Sequence, residues 1–200
     1  MALHDPEYAR ELETQRLDEK TAARLDCEVE PVRNLRKLAE YLERLPADYR
    51  HFEMSTYASL SVGSSTPTTR QLIELEANRI NDYALDVRGV VSQSGCGYVA
   101  CAVGHGPAAG ISPLATHEVW TSYSLRVFGS AAEDWCFSAL WTDYDNTHRG
   151  AAARIRWLLD RDPPGLFEEV YDMYEYEGDG NINHDDMQCV VAEYQRYVVA

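Results

Sequence analysis

Oxygen-bearing side chains alternate along the stretch Glu175–Asp186. A cation-binding loop needs oxygen ligands at alternating positions, a glycine for its sharp turn and a carboxylate at its end. Gly180 stands where the turn falls, and glycine suits it because a Cβ is penalised at positive φ. The pattern predicts one divalent-cation site, whose ligands are Glu175, Glu177, Asp179, the carbonyl of Asn181, Asn183 and Asp186.

Apolar residues flank this loop with helical spacing, at one, four, five and eight positions before it and after it. They are Phe167, Val170, Tyr171 and Tyr174 before the loop, and Met187, Val190, Val191 and Tyr194 after it. With Ile182 at the eighth loop position, the segment of about Leu166–Val198 resembles the EF-hand family. With Asn183 and the closing Asp186, the loop is also similar to the calcium loops of dockerins. The resemblance implies a helix–loop–helix that binds one Ca²⁺ or Mg²⁺ ion.

Two residues of the loop depart from the usual EF-hand ligands. Glu175 is longer than the usual first Asp, and Asp186 reaches less far than the usual bidentate Glu. Loss of one oxygen favours Mg²⁺ or weak Ca²⁺ binding. EF-hands normally pair, and we find no second loop, so the pairing surface must be met by the N-terminal domain, a homodimer or a partner protein. The alternative is an empty loop that only holds two helices together.

Cys101 and His105 stand four residues apart, with Cys96 nearby and Cys136 further along the chain. A thiol and an imidazole on one helical turn could form a nucleophilic pair, and the four residues could bind zinc. The spacing fits no zinc signature that we know, and small apolar residues surround it. Cysteine packs as a small apolar residue in such surroundings, so we expect these residues to be structural core.

Polar residues at 143–147 precede a predicted helix, and four tryptophans lie in the same half of the chain. Asn146 or Thr147 has the side chain of a helix cap or turn residue. A catalytic pair made by Asp143 and Asp145 is the alternative, although no base or nucleophile stands beside them in sequence. We expect the tryptophans in the core, with a partner-binding patch as the alternative; they are Trp120, Trp135, Trp141 and Trp157.

Helical patterns dominate the elements that must position these residues. After Pro31, leucines recur on one face until Pro46 ends the helix. Helices are predicted at Glu7–Leu25, after Pro31, and at about Thr69–Tyr83, Thr116–Phe128, Ala131–Leu140 and Arg149–Leu159. Pro163-Pro164 breaks the chain. We therefore expect a mainly α fold: a helical globular domain over residues 1–162, with 1–25 as a peripheral helix, then an EF-hand-like helix–loop–helix over 163–200.

The net charge of −15 restricts the partners. It argues against nucleic acid, because phosphate binding needs clustered Lys and Arg. It is compatible with a cation, a basic protein partner or simple solubility. No apolar run approaches the ~18–20 residues that span a bilayer, and the charged N-terminus lacks a signal core. Five cysteines, an odd number, favour reduced thiols and a cytoplasmic location.

The middle region is similar, in scattered segments, to uncharacterised small proteins of bacteriophages and bacteria. The segments are Cys96–Ile111, Trp135–Phe137 and Asp145–Ile155. This resemblance implies no activity, but it favours a phage-encoded protein that acts in the host cytoplasm.

The sequence thus predicts a non-enzymatic protein that binds Ca²⁺ or Mg²⁺ through one EF-hand-like loop, in a structural or weak sensor role. The alternative is an acidic phage-type protein that binds a basic host protein, with the loop empty. A third hypothesis is a small enzyme that uses Cys101 and His105.

Overall fold

The computed structural model describes residues 6–50, 52–54, 59–60, 98–112, 115, 118, 120–161 and 184–199. This part of the chain is mainly helical, which confirms the predicted fold class. Its α-helices are α1 (Pro6–Arg24), α2 (Val29–Arg44), α3 (Trp120–Phe128), α4 (Ser130–Cys136), α5 (His148–Asp160) and α6 (His184–Val199). Short 3-10 helices cover Val103–His105 and Ala139–Thr142. The predicted helix at 69–83 lies outside the described residues.

Helix α2 lies at the centre of the hydrophobic core and packs mainly against α5. Four residues of the predicted stripe are buried, because apolar residues three and four apart fall on one helix face; they are Val32, Leu35, Leu38 and Leu42. Leu45, which was also predicted in the stripe, follows the helix and is half-buried. The helix ends at Arg44, where Leu45 turns to extended backbone before Pro46. The imidazole of His148, at the start of α5, lies against this end, with Nδ1 2.9 Å from the Leu42 carbonyl oxygen.

Helix α1 docks only by its C-terminal part. Its residues from Tyr8 to Leu17 are exposed, as expected for a sequence that is polar almost all round, whereas Asp18, Thr21 and Ala22 are buried. Asp18 accepts from Nε of Arg36 at 2.6 Å, so a buried carboxylate is paired with a cation on α2. Pairing of this kind offsets the cost of removing the carboxylate from water.

The four tryptophans are buried, as the sequence predicted. Trp135 and Trp141 meet edge to face at 5.3 Å between ring centroids, an arrangement that aromatic pairs favour. Their indole nitrogens also find acceptors: Nε1 of Trp135 donates to the Arg154 carbonyl at 3.1 Å, and Nε1 of Trp141 donates to the Trp135 carbonyl at 2.7 Å. These bonds fix the segment between α4 and α5.

Two short strands, which the sequence did not predict, lie beside the helices. Strand β1 (Ser59–Leu60) pairs antiparallel with β2 (Tyr98–Val99), with Ser59 opposite Val99. A parallel bridge then joins Phe52 to Ala100. The bridge therefore brings Phe52 and Glu53 next to Ala100, in the segment that leads into His105.

Helix α6 packs on α5. Val190 and Tyr194 are buried and belong to the same hydrophobic core as α2 and α5. The predicted domain boundary at 162–163 falls outside the described residues. Across the part of the chain that the structure describes, every helix is too short or too polar to cross a membrane.

Candidate functional site

Most of the predicted cation ligands lie outside the described residues: Glu175, Glu177, Asp179, Asn181 and Asn183. The backbone of Asp186 is described, and it lies within α6, whose described span is His184–Val199. Its role as the closing ligand stays a prediction.

Three of the four apolar positions predicted after the loop fall on the packed face of α6, and the side chain of the fourth, Met187, lies outside the described residues. Val190 and Tyr194 are buried, and Val191 is half-buried against the core. Tyr194 was predicted only as an apolar contact, yet its hydroxyl also donates to Oδ2 of Asp145 at 2.6 Å. The same hydroxyl lies 3.1 Å from the carbonyl oxygen of Gly150. Tyr194 therefore joins α6 to the turn that opens α5.

Arg154 lies beneath this contact with no exposed surface, although it is charged. Its guanidinium stacks over Trp141, 4.5 Å from the ring centroid, and lies 5.8 Å from the ring of Tyr194. Nη1 donates to the backbone carbonyl of Asp145 at 3.2 Å and lies 4.0 Å from its carboxylate Oδ2. Burial is the main effect on this group and lowers the pKa of Arg154. No feature of the sequence predicted this buried cation, because the helix stripe was defined by its apolar residues alone.

Thr147 is the N-terminal cap of α5, which confirms the capping interpretation for this residue. The hydroxyl of Thr147 accepts from the Gly150 amide at 2.9 Å, and the same hydroxyl donates to Oδ1 of Asp145 at 2.6 Å. A Cβ on Gly150 would overlap the Asp145 carboxylate. The Asp145 carboxylate contacts Thr147, Tyr194 and Arg154. These contacts favour a structural role for Asp145 over the catalytic pair with Asp143.

Asn146 holds a neighbouring segment in place. Its Oδ1 accepts from the Met54 amide at 2.7 Å, and its Nδ2 donates to Oε1 of Glu53 at 2.8 Å. Both ends of the side-chain amide are therefore used, one as acceptor and one as donor. Sequence reasoning allowed Asn146 a turn role but did not predict this long-range contact.

Cys101 and His105 are both buried, as the core interpretation predicted. Nδ1 of His105 lies 2.8 Å from the backbone carbonyl oxygen of Cys101, so it carries the proton that it donates to that oxygen. In that tautomer Nε2 accepts from the hydroxyl of Tyr49 at 3.1 Å. Burial raises the pKa of the Cys101 thiol to about 12. A thiol with so high a pKa is a poor nucleophile at neutral pH.

The zinc alternative gains no support from the described residues. Cys96 lies outside them, and Cys136 is buried with its pKa raised by that burial. Over the described ranges, no three His, Cys, Asp or Glu side chains are grouped so that they could hold a metal ion. The EF-hand-like ligands fall largely beyond those ranges.

Comparisons of the chain with protein-family models, with curated proteins and with solved structures found no match.

Proposed function

We propose that this protein binds one divalent cation, Ca²⁺ or Mg²⁺, through the EF-hand-like loop Glu175–Asp186, in a structural or weak sensor role without catalysis. The ligands would be Glu175, Glu177, Asp179, the Asn181 carbonyl, Asn183 and Asp186. The observation that carries the proposal is the common register of the loop and its outgoing helix.

The geometry of α6 supports that register. If Asp186 closes the loop, the apolar residues four and eight positions after it are Val190 and Tyr194, and these are the two buried residues among the described side chains of α6, 188–198. Asp186 would then close the loop within α6, whose described span is His184–Val199. A loop shifted by one residue in either direction would not match this buried face, because successive helix positions differ by about 100°.

The free thiols of Cys27, Cys136 and Cys189 support a reducing, cytoplasmic location as part of the proposal.

The test is a calorimetric titration of Ca²⁺, then of Mg²⁺, into chelator-stripped protein, with thermal melting before and after. We expect a single saturable site and a higher Tm when the cation is present, because a ligand that binds only the folded state stabilises it. The double variant Asp179→Ala, Asp186→Ala should lose both effects. The matched control is Glu19→Ala, Glu193→Ala, which removes the same charge from exposed helix positions.

Loss of cation-dependent stability in the loop variant alone would support the site. If wild-type protein gives neither heat nor a Tm shift up to millimolar cation, the loop is empty. If both double variants weaken binding equally, the effect comes from net charge and not from loop ligands.

The net charge of −15 favours a second candidate, an acidic phage-type protein that binds a basic host protein. Its attraction would be screened at high ionic strength, since the Debye length falls to ~3 Å at 1 M salt. Co-purification with a basic host protein that survives chelator but is lost in high salt would support this candidate. Co-purification that chelator abolishes would instead point to the cation loop as the binding element.

A further inference from the structure

A histidine joins α2 and α5, the two helices that form the main packing contact of the fold. His148 stands at the start of α5 and is buried. Its Nδ1 lies 2.9 Å from the carbonyl oxygen of Leu42, in the last turn of α2, and its Nε2 lies 3.1 Å from the carbonyl oxygen of Pro46. Both ring nitrogens therefore face oxygens that can only accept.

The number of protons on His148 follows from these partners. A neutral imidazole has one N–H donor and one acceptor nitrogen, whereas the imidazolium ion has two donors. Only the imidazolium can therefore form hydrogen bonds to both carbonyl oxygens. His105 differs in this respect, since its Nε2 faces the hydroxyl of Tyr49, which can donate to a neutral ring.

The end of α2 favours a positive charge at this place. The last carbonyls of a helix carry a partial negative charge, and that of Leu42 is one of them. Burial of an ion is costly, and the two carbonyl oxygens offset this cost. The rings of Tyr49 and Phe52 meet the imidazole edge to face, with centroids 6.1 and 6.3 Å away, so they restrict its orientation.

Ionisable side chains share this aromatic cluster with His148. Burial raises the pKa of Tyr49 to about 12, so its hydroxyl keeps its proton near neutral pH. His105 lies beyond Tyr49 and Phe52, whose rings contact both histidines. Tyr41 contacts His105, and burial raises the pKa of Tyr41 as well.

The charged side chains on the surrounding segments have other partners or are exposed. Glu53 accepts from Asn146, and Asp145 accepts from Tyr194. The remaining charged residues next to the joint in sequence are exposed to water; they are Glu43, Arg44, Asp48, Arg50, Asp143 and Arg149.

We propose that His148 is a proton-dependent joint between α2 and α5, which binds both carbonyl oxygens as imidazolium and releases the Pro46 carbonyl when it becomes neutral. The Nε2 proton is the one that leaves, because its hydrogen bond is the longer of the two and Pro46 is exposed. Nδ1 keeps its proton and its bond to Leu42. The segment after α2 should then loosen while α2 and α5 stay packed. The joint works without the cation loop, so it stands independently of the proposed function.

The direction of the pH effect follows from the proton count. Histidines of an unfolded chain lose their second proton near pH ~6.5. Because the folded joint requires that proton, its contribution to stability is complete below about pH 6.5 and is lost as pH rises above it. The buried Cys101 thiol acts in a separate range, since the ordinary pKa of a thiol is 9.0.

Histidine-selective 1H–15N NMR of the full-length protein tests the proton count. Two protonated ring nitrogens give nearly equal 15N shifts, whereas a neutral ring gives two widely separated shifts. At about pH 7, where roughly three-quarters of unfolded histidines are neutral, His148 should show the two-proton pattern. The neutral form that appears at higher pH should carry its proton on Nδ1. A neutral pattern at pH 7, or a neutral form protonated on Nε2, overturns the joint.

Urea unfolding between pH 6.5 and 8 gives a second measurement. The unfolding equilibrium constant of the wild-type protein should rise at least about threefold, within the limit of roughly tenfold per pH unit that one proton sets. His148→Gln should remove this rise. The control is His117→Gln, which removes a histidine outside the described residues and should keep the rise. An equal rise in the wild-type protein and His148→Gln overturns the joint. If His148→Gln does not fold, the NMR measurement on the wild-type protein decides.

Discussion

Arg24, in the last turn of α1, donates through Nη2 to the carbonyl oxygen of Leu158 at 2.6 Å, near the C-terminal end of α5. The same nitrogen lies 3.0 Å from the carbonyl oxygen of Leu159. The last carbonyls of a helix have no partner within it, and they carry a partial negative charge. A cation from α1 therefore caps α5, although the two residues are 134 positions apart in sequence.

Replacement of Arg24 by Met should destabilise the fold by about 1–3 kcal/mol, because it leaves two partly buried carbonyls without their charged donor. The measurement is urea unfolding, compared at the midpoint. Arg10→Met, in the exposed part of the same helix, should change stability by less than about 0.5 kcal/mol. An equal loss in both variants would mean that the effect comes from helix propensity or net charge.

Gly150→Ala should cost about 1–3 kcal/mol, since the new Cβ would overlap the Asp145 carboxylate and a closely packed site must then shift. A double-mutant cycle measures this. In an Asp145→Ala background the same substitution should cost much less, because the overlapping group has gone. Equal costs in the two backgrounds would show that the glycine is needed for another reason.

Alkaline pH should destabilise the protein. Burial raises the pKa of the Cys101 thiol from its ordinary value of 9.0 to about 12, and burial raises the pKa of Tyr49 to about 12, with a smaller effect of Tyr41. The unfolded chain loses these protons first. The contribution to stability is therefore complete below the unfolded pKa and is lost as pH rises through the interval up to the folded pKa.

Each buried thiol should lower the free energy of unfolding by up to about 1.4 kcal/mol per pH unit above pH ~9. Unfolding measured between pH 8 and 10.5 should show this slope reduced in Cys101→Ala. Cys189→Ala should keep the wild-type slope, because Cys189 is exposed. A slope that Cys101→Ala leaves unchanged would contradict the prediction.

The rate of thiol labelling should differ between the exposed and the buried cysteines. Cys189 is exposed and should react quickly at pH 7.5, whereas Cys101 and Cys136 are buried and should react only as the protein opens. Peptide mapping after a brief treatment with iodoacetamide checks this. Rapid, stoichiometric labelling of Cys101 would revive the hypothesis of an enzyme that uses Cys101 and His105.

The helical fold was predictable where the residue pattern within one helix is enough to identify that helix. In α2 the apolar residues recur at helical spacing and Pro46 marks the end, so the stripe from Val32 to Leu42 was identified from sequence. The cap by Thr147 was predictable for the same reason, because its partner is Gly150, three residues away.

Contacts between distant segments could not be predicted in this way. The residues near Arg154 in sequence do not predict its contacts with Trp141 and Tyr194. The three side chains meet only when α5 and α6 pack together. The strand pair was missed because two residues per strand are too few to show alternation. The ligands predicted in the loop between Glu175 and Asn183 remain predictions, since that segment lies outside the described residues.

The two hydrogen bonds of Asn146 restrict which residues can replace it during evolution. Acidic residues are abundant in this chain, and replacement of Asn by Asp requires only a small change in shape. At residue 146, however, Asp would set a second carboxylate against Glu53, where the amide nitrogen now donates at 2.8 Å. The exchange would turn an attraction into a repulsion while the bond to the Met54 amide survived. Selection for a folded chain should therefore exclude Asp here, even in a protein that has accumulated negative charge elsewhere.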